Sequence, residues 1–253
     1  MKTYDRRSQI EQTLKERQRV SIHDVSEMFG VSVATARRDL DSLAEGDLVE
    51  RIHGGARLVR KAPPEMPTIL RNNEQAAEKA RIAEATVKLV HGNEAVFLGS
   101  GTTVMQVAKR LQTVENLTVI TNSLLVANVL ADRDEINLIV LGGIFHHSEC
   151  SMYGYLVEQA LSEIHTDKVI FGVRAIDINH GLSNDFIPEI STDRKIPSSG
   201  RQVIVVADHT KFNRVSTAQV CSLDCVHTIV TDQETPQETI HAMTERGIDV
   251  IVA

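Results

Sequence analysis

Several things are scarce in this chain of 253 residues, and each scarcity removes a class of protein. No apolar run approaches the roughly 20 residues that cross a bilayer. The first ten residues, MKTYDRRSQI, carry no hydrophobic segment of the kind a secretion signal uses, so a cytoplasmic location with no membrane partner is expected. The three cysteines, Cys150, Cys221 and Cys225, are too few and too odd in number for a disulfide framework, and they are read as thiols in a reducing compartment. Cys221 and Cys225 lack a second ligand pair, and His146, His147 and Cys150 lie in another stretch, so no metal site is expected. Internal repeats and low-complexity tracts are also missing. Basic charge is short overall: the net charge is −7, which by itself argues against a polyanionic partner.

That shortage is not uniform along the chain. Residues 1–61 carry twelve Lys and Arg against ten Asp and Glu, a net +2, and the remainder carries 15 against 24, a net −9. The cationic part contains a stretch that reads as two short helices around a tight turn, followed by a basic hairpin. Ile22, Val25 and Phe29 recur at helical spacing behind Ser21, a capping hydroxyl, and Gly30 ends that helix. Ser32 is a second N-cap. Ala36, Leu40 and Leu43 form the inward face of the next helix, which leaves Ser32, Thr35, Arg37 and Arg38 projecting outward near its start. Guanidinium forks there suit guanine edges or phosphates, and small hydroxyl residues allow close approach of backbone N–H groups to phosphate. Leu48, Val49 and Ile52 then alternate loosely with Glu50, Arg51 and His53 before Gly54-Gly55, which suggests a two-stranded wing with a glycine tip.

The run S-x-x-T-x-R-R-D-L from Ser32 to Leu40, followed by R-x-H-G-G-A from Arg51 to Ala56, resembles the N-terminal winged helix-turn-helix of DeoR-family transcriptional repressors. The resemblance implies a double-stranded DNA operator read by Ser32, Thr35, Arg37 and Arg38, with Arg51, His53, Gly54 and Gly55 in the wing. One departure is Gly46-Asp47, since the family usually has Gly where Asp47 stands; Asp tolerates left-handed backbone, so the turn is expected to survive.

Residues 61–70, KAPPEMPTIL, hold three of the six prolines, and 62–74 read as a linker. Beyond it short Val, Ile and Leu runs alternate with amphipathic helices: helix from Gln75 to Val90, strand Ala95 to Leu98, helix Thr103 to Leu111, strand Leu117 to Ile120, helix Leu124 to Leu130 and strand Leu138 to Leu141. The alternation continues with helix Tyr155 to Ile164, strand Lys168 to Val173, helix near Glu189 to Ile196, strand Val203 to Ala207, and strands near Ile229 and Val250 around helix Thr239 to Arg246. This predicts an α/β domain over 75–253 with a mainly parallel, Rossmann-like sheet covered on both faces. Polar turns follow five strand ends: Gly99-Ser100-Gly101-Thr102-Thr103, Thr121-Asn122, Gly142-Gly143, Arg174 and Asp208-His209-Thr210-Lys211. Small ligands bind at that rim in open α/β sheets, and a G-S-G-T-T loop opening a helix suits a phosphate.

The order GSGTT, TN, GG, GLS and ADHTKF is similar to the DeoR-family effector domain, itself related to the ribose-phosphate isomerase fold. The resemblance implies a phosphorylated sugar effector held by Ser100, Gly101, Thr102 and Thr103, with polar contacts from Thr121 and Asn122, closure by Asp208 and Lys211, and Arg174 and Glu189 chosen from position. Lys stands in many relatives where Asp193 occurs here, which leaves the sugar open. No cofactor is implied.

An isomerase-like enzyme fused to a DNA-binding domain is the alternative. The isomerases carry an acidic D-G-A-D turn where Phe171-Gly172-Val173-Arg174 stands here, and both acids are absent; Glu189 or Asp208 would have to serve as base. A purely structural DNA-bending protein would have no need of the rim turns. Twofold pairing on a palindromic site doubles the base contacts of a small reader, so a homo-oligomer, dimer or tetramer, is expected.

Overall fold

The computed structural model describes residues 3–45, 48–63, 66–111 and 114–253. The chain divides into two compact units, Met1–Lys61 and Ala62–Ala253.

In the first unit Ser21 accepts a hydrogen bond from the Asp24 backbone N–H while the Asp24 carboxylate accepts from the Ser21 N–H, a reciprocal cap that starts helix Ile22–Phe29. Gly30, at φ +60°, ends it in the left-handed region. Ser32 caps helix Val33–Leu43 through the Thr35 N–H, as its position predicts. A helix that the sequence analysis did not assign, Thr3–Arg17, precedes them and buries Ile10 and Leu14 against Val25, Ala36 and Leu40. The wing strands Val49–Ile52 and Gly55–Leu58 pair antiparallel, and a third strand, Arg19–Ser21, joins the outer side of Gly55–Leu58. The Gly46-Asp47 departure lies outside the described residues.

The second unit is built on seven parallel strands in the order Asp249–Val252, Thr228–Thr231, Gly200–Val206, Thr166–Phe171, Ala95–Leu98, Leu117–Thr121, Ile136–Val140. Successive residues of these strands enter different cores. Phe97, Val169, Phe171, Val203 and Val205 pack on one face; Val96, Leu98, Ile170, Ile204 and Val206 pack on the other. Strands buried on both sides have no polar face, which explains their continuous apolar runs. The chain starts in the middle at Ala95–Leu98, builds outward to Ile136–Val140, then returns to Thr166–Phe171 on the opposite side. The direction reversal lies between Ala95–Leu98 and Thr166–Phe171, the position where open α/β sheets leave a crevice.

Three features differ from the sequence analysis. A small antiparallel sheet of Ala175–Asp177, Gly181–Asn184 and Ala218–Cys221, and a hairpin of Ile144–His146 with Ser151–Tyr153, sit beside the parallel sheet. The 62–74 stretch, read as a linker, carries a helix, Thr68–Arg71, and is tied into the second unit: the Ala62 N–H donates to the Val215 carbonyl at 3.0 Å and the Thr68 N–H to the Ser148 carbonyl at 2.7 Å. Cys221 and Cys225, expected as separate thiols, are joined in a disulfide, while Cys150 is free. Among the described residues no helix is long and apolar enough to cross a membrane.

Candidate functional site

The candidate functional residues fall in two regions, one in each unit. On helix Val33–Leu43, Arg37 and Arg38 are exposed and enter no ion pair among the described residues, while Ser32 and Thr35 are joined hydroxyl to hydroxyl at 2.9 Å at its start. Asp39, next in sequence, points the other way and is buried. It accepts from Arg6 Nε at 2.6 Å and Arg7 Nε at 3.0 Å, and so fastens the first helix to the third. Burial alone would raise the Asp39 pKa; the two arginine hydrogen bonds outweigh that and hold it below the usual carboxylate value. The R-R-D triplet therefore combines two outward cations with one inward anchor, an anchor the sequence analysis left out.

His53 and Gly54 are exposed at the wing tip, with Gly54 at φ +76°. Two other wing residues make structural contacts within the unit. Arg51 Nε donates to Asp41 at 2.7 Å and its Nη1 to the Gly55 carbonyl, so this guanidinium clamps the wing to the reading helix. Gly55 is buried, and a Cβ there would stand 2.1 Å from the Val20 carbonyl oxygen. The close crossing of the third strand requires glycine at this position.

In the second unit a cavity of about 720 Å³ opens at the switch point. Gly101, at φ +107°, turns the chain from Ala95–Leu98 into helix Thr102–Arg110, and no side chain caps that helix. Its first backbone N–H groups and the positive end of its dipole are thus available to an anion. Ser100, Gly101, Thr102, Thr103, Arg174, Glu189, Asp208 and Lys211 all line this cavity.

Lys211 sits on the short turn His209–Lys211, whose start Asp208 caps by accepting from the Thr210 N–H at 3.0 Å. Asp208 positions Lys211 as well as lining the cavity. Burial lowers the Lys211 pKa, Asp208 opposes that, and the nearby Arg71, Arg174 and Arg214 lower it further. A partly desolvated ammonium crowded by like charges is stabilised by an arriving anion.

Thr121 and Asn122 do not reach the cavity. Thr121 Oγ1 donates to the Leu98 carbonyl at 2.7 Å, and Asn122 Nδ2 donates to the Met152 carbonyl at 2.8 Å, so the hydroxyl and the amide N–H tie the strand end to its neighbours. Their strand lies one place beyond the switch point, where the rim is filled by the Ile144–Tyr153 hairpin.

The structure adds residues that the sequence analysis did not assign to the site. Arg71 follows the proline run and pairs with Glu149. Lys79 is buried on helix Ala76–Val87 and donates to the carbonyls of Arg71 and Glu74 at 2.8 and 2.6 Å. Asn184 and Asp193 complete another part of the wall with Glu189. A lysine on the inward face of an amphipathic helix, as Lys79 is, was a signal readable from its helical spacing to the apolar Ile82 and Ala83.

Burial raises the pKa of Glu189 to about 7, and burial with the adjacent Glu189 charge pushes Asp193 to about 7. Glu189 accepts from Ser151 Oγ at 3.0 Å and lies 2.7 Å from His146 Nδ1; Asp193 accepts from Asn184 Nδ2 at 2.5 Å. At the isomerase acid turn, Arg174 pairs with Asp185 and donates to the Pro63 carbonyl, with no acid in the turn itself.

A winged helix-turn-helix joined to an α/β domain with a cavity at the rim of its parallel sheet defines a ligand-sensing DNA-binding regulator. Residues 6–62 match the DeoR-like helix-turn-helix domain and residues 74–233 match the DeoR C terminal sensor domain, and the chain belongs to the DeoR family of transcriptional repressors. It is 36% identical over 234 residues to the transcriptional repressor AccR of Agrobacterium fabrum (strain C58), covering 92% of this chain and 91% of that one. It is 32% identical over 250 residues to the glycerol-3-phosphate regulon repressor of Escherichia coli (strain K12), covering 99% of each. Among solved structures, ribose 5-phosphate isomerase A from Methanocaldococcus jannaschii overlaps 55% of each chain at 16% identity and a TM-score of 0.41. The chain is a DNA-binding regulator, not an enzyme, and its second unit is a sensor domain.

Proposed function

We propose that this repressor holds an operator through Arg37 and Arg38 and leaves it when a phosphorylated sugar or related metabolite enters the switch-point cavity. The observation that carries this reading is the uncapped start of helix Thr102–Arg110 facing the same cavity as the crowded ammonium of Lys211. Backbone N–H groups, hydroxyls and a cation gathered on one wall are what a phosphate needs. A relative named for the glycerol-3-phosphate regulon agrees with an organic phosphate.

The phosphate is assigned to Ser100, Gly101, Thr102, Thr103 and Lys211, with Arg174 and Glu189 facing the rest of the ligand and Asp208 holding the Lys211 turn. Pro63, Met66 and Arg71, from the segment that follows the DNA-binding unit in sequence, line the same cavity. A ligand that recruits Arg71 or Arg174 competes with Glu149 or the Pro63 carbonyl and so reaches this segment directly. The protein is assigned to the cytoplasm, and a homo-oligomer would place two reading helices on a palindromic operator.

A thermal-shift screen of the full-length protein against inorganic phosphate and sugar phosphates tests the reading. Stabilisation by at least one phosphorylated compound, lost in Thr102→Val, is expected; a flat response to all of them refutes it.

A further inference from the structure

The charges around the cavity do not balance, and the imbalance is local. Six carboxylates share the wall with five cations. Glu149 is matched by Arg71 and Asp185 by Arg174, while Asp208 is spent on the Lys211 turn. Among the described residues Glu189 and Asp193 have no Lys or Arg partner. They stand four positions apart around helix Ile190–Lys195, a spacing that puts two like charges on one face.

The partners they do have are neutral. Ser151 and Asn184 supply uncharged donors. His146 touches Glu189, but burial holds its pKa below the ordinary imidazole value, so at neutral pH it offers a hydrogen bond without a charge. Both carboxyls consequently favour a proton up to about pH 7. A phosphate bound nearby adds nearly two negative charges to this wall.

We propose that the effector carries a primary ammonium as well as its phosphate, as an amino sugar phosphate does, and that Glu189 and Asp193 receive the ammonium while the Gly101–Thr103 loop and Lys211 hold the phosphate. This rests on the reading of the cavity as a phosphorylated-ligand site. An ammonium brings three donors and one positive charge, enough to serve both carboxylates, whereas a hydroxyl brings one donor and no charge. The cavity volume of about 720 Å³ suits a ligand of this size.

Calorimetric titration of the full-length protein near neutral pH, in buffer containing EDTA, separates the possibilities. The probes are glucosamine, galactosamine and mannosamine phosphates, each paired with the hexose phosphate that has hydroxyl in place of the amine, together with inorganic phosphate. In at least one pair the amine should bind about tenfold more tightly. In Asp193→Asn that preference should shrink to about twofold, with Glu189→Gln as the second variant should the first fail to fold. A hydroxyl partner that binds as well or better in every pair overturns the proposal, as does a preference that survives both variants. Binding seen only without EDTA would assign the neutralising charge to a divalent cation and also overturn it. If no sugar phosphate and no inorganic phosphate binds at all, the phosphorylated-ligand reading falls, and this proposal with it.

Discussion

Replacing Asp39 by Ala should unfasten the DNA-binding unit. The carboxylate is 2% exposed and accepts from Arg6, whose side chain is 10% exposed, and from Arg7, at 36%. Removing it leaves the Arg6 guanidinium buried with no counter-charge, a loss of about 3–5 kcal/mol for a broken buried pair. The Arg7 contact is more hydrated and adds about 1 kcal/mol or less. A unit of this size is stable by roughly 3–9 kcal/mol, so the change removes much of its stability.

Hydrogen exchange read by mass spectrometry in the full-length protein isolates the effect, because peptides covering Val33–Leu43 report on this unit alone. Protection there should fall by the factor equivalent to about 3 kcal/mol or more, with peptides of the sensor domain unchanged. Acidification supplies a second check. The folded pKa of Asp39 lies below its ordinary 3.8, so its contribution is present above that value and is lost as pH falls through the folded value; the variant should lack this acid-dependent step. A loss below about 1 kcal/mol would show that the buried pair does not hold the helices together.

Three further outcomes are expected. Arg37→Ala or Arg38→Ala should each weaken operator binding by about 1–3 kcal/mol in a mobility-shift assay, without altering thermal stability. Gly55→Ala drives a Cβ into the Val20 carbonyl and should destabilise the wing sheet by about 1–3 kcal/mol, seen as lower exchange protection at Arg19–Ser21 and Gly55–Leu58. For Asp193, burial first and then the Glu189 and Glu149 charges raise the pKa from 3.8 to about 7 against the Asn184 hydrogen bond and His146, so the unliganded fold binds more protons than the unfolded chain in that window and loses stability as pH rises through it; melting curves should show Asp193→Asn gaining on wild type as pH rises through the window, with a higher Tm above pH 7 and no advantage below about pH 4.

The parallel sheet was legible because its inner strands are buried on both faces and so read as short, mostly apolar runs. The reading helix was legible because Ser32 caps it and Ala36 and Leu40 face inward, leaving Arg37 and Arg38 nowhere to go but out. The first helix was harder to see: apart from Ile10 and Leu14 it is nearly all polar, and such a stretch looks like a solvated segment until Asp39 is known to reach Arg6. The hairpin strands Ile144–His146 and Ser151–Tyr153 are three residues long, too short for a period to emerge.

Of the candidate rim residues, the strand-end rule selected the Gly101 loop and the Lys211 turn, which both line the cavity. It included Thr121 and Asn122 as well, because spacing along the chain does not say which strand end adjoins the switch point; the order of strands in the sheet decides that. For Arg51 in the other unit, the chain spacing does not show its intramolecular partners, because only the folded hairpin brings Asp41 and the Gly55 carbonyl within its reach.

Lys211→Ala tests whether a phosphorylated ligand in the switch-point cavity controls operator binding. Fluorescence anisotropy of a labelled operator, titrated with the sugar phosphate that most stabilises the wild-type protein, follows release from DNA. The variant should bind the operator with wild-type affinity but require about tenfold more effector, or more, for half release, because the phosphate has lost its charge-assisted partner. Release at the same effector concentration as wild type would contradict the account and place the sensing site elsewhere.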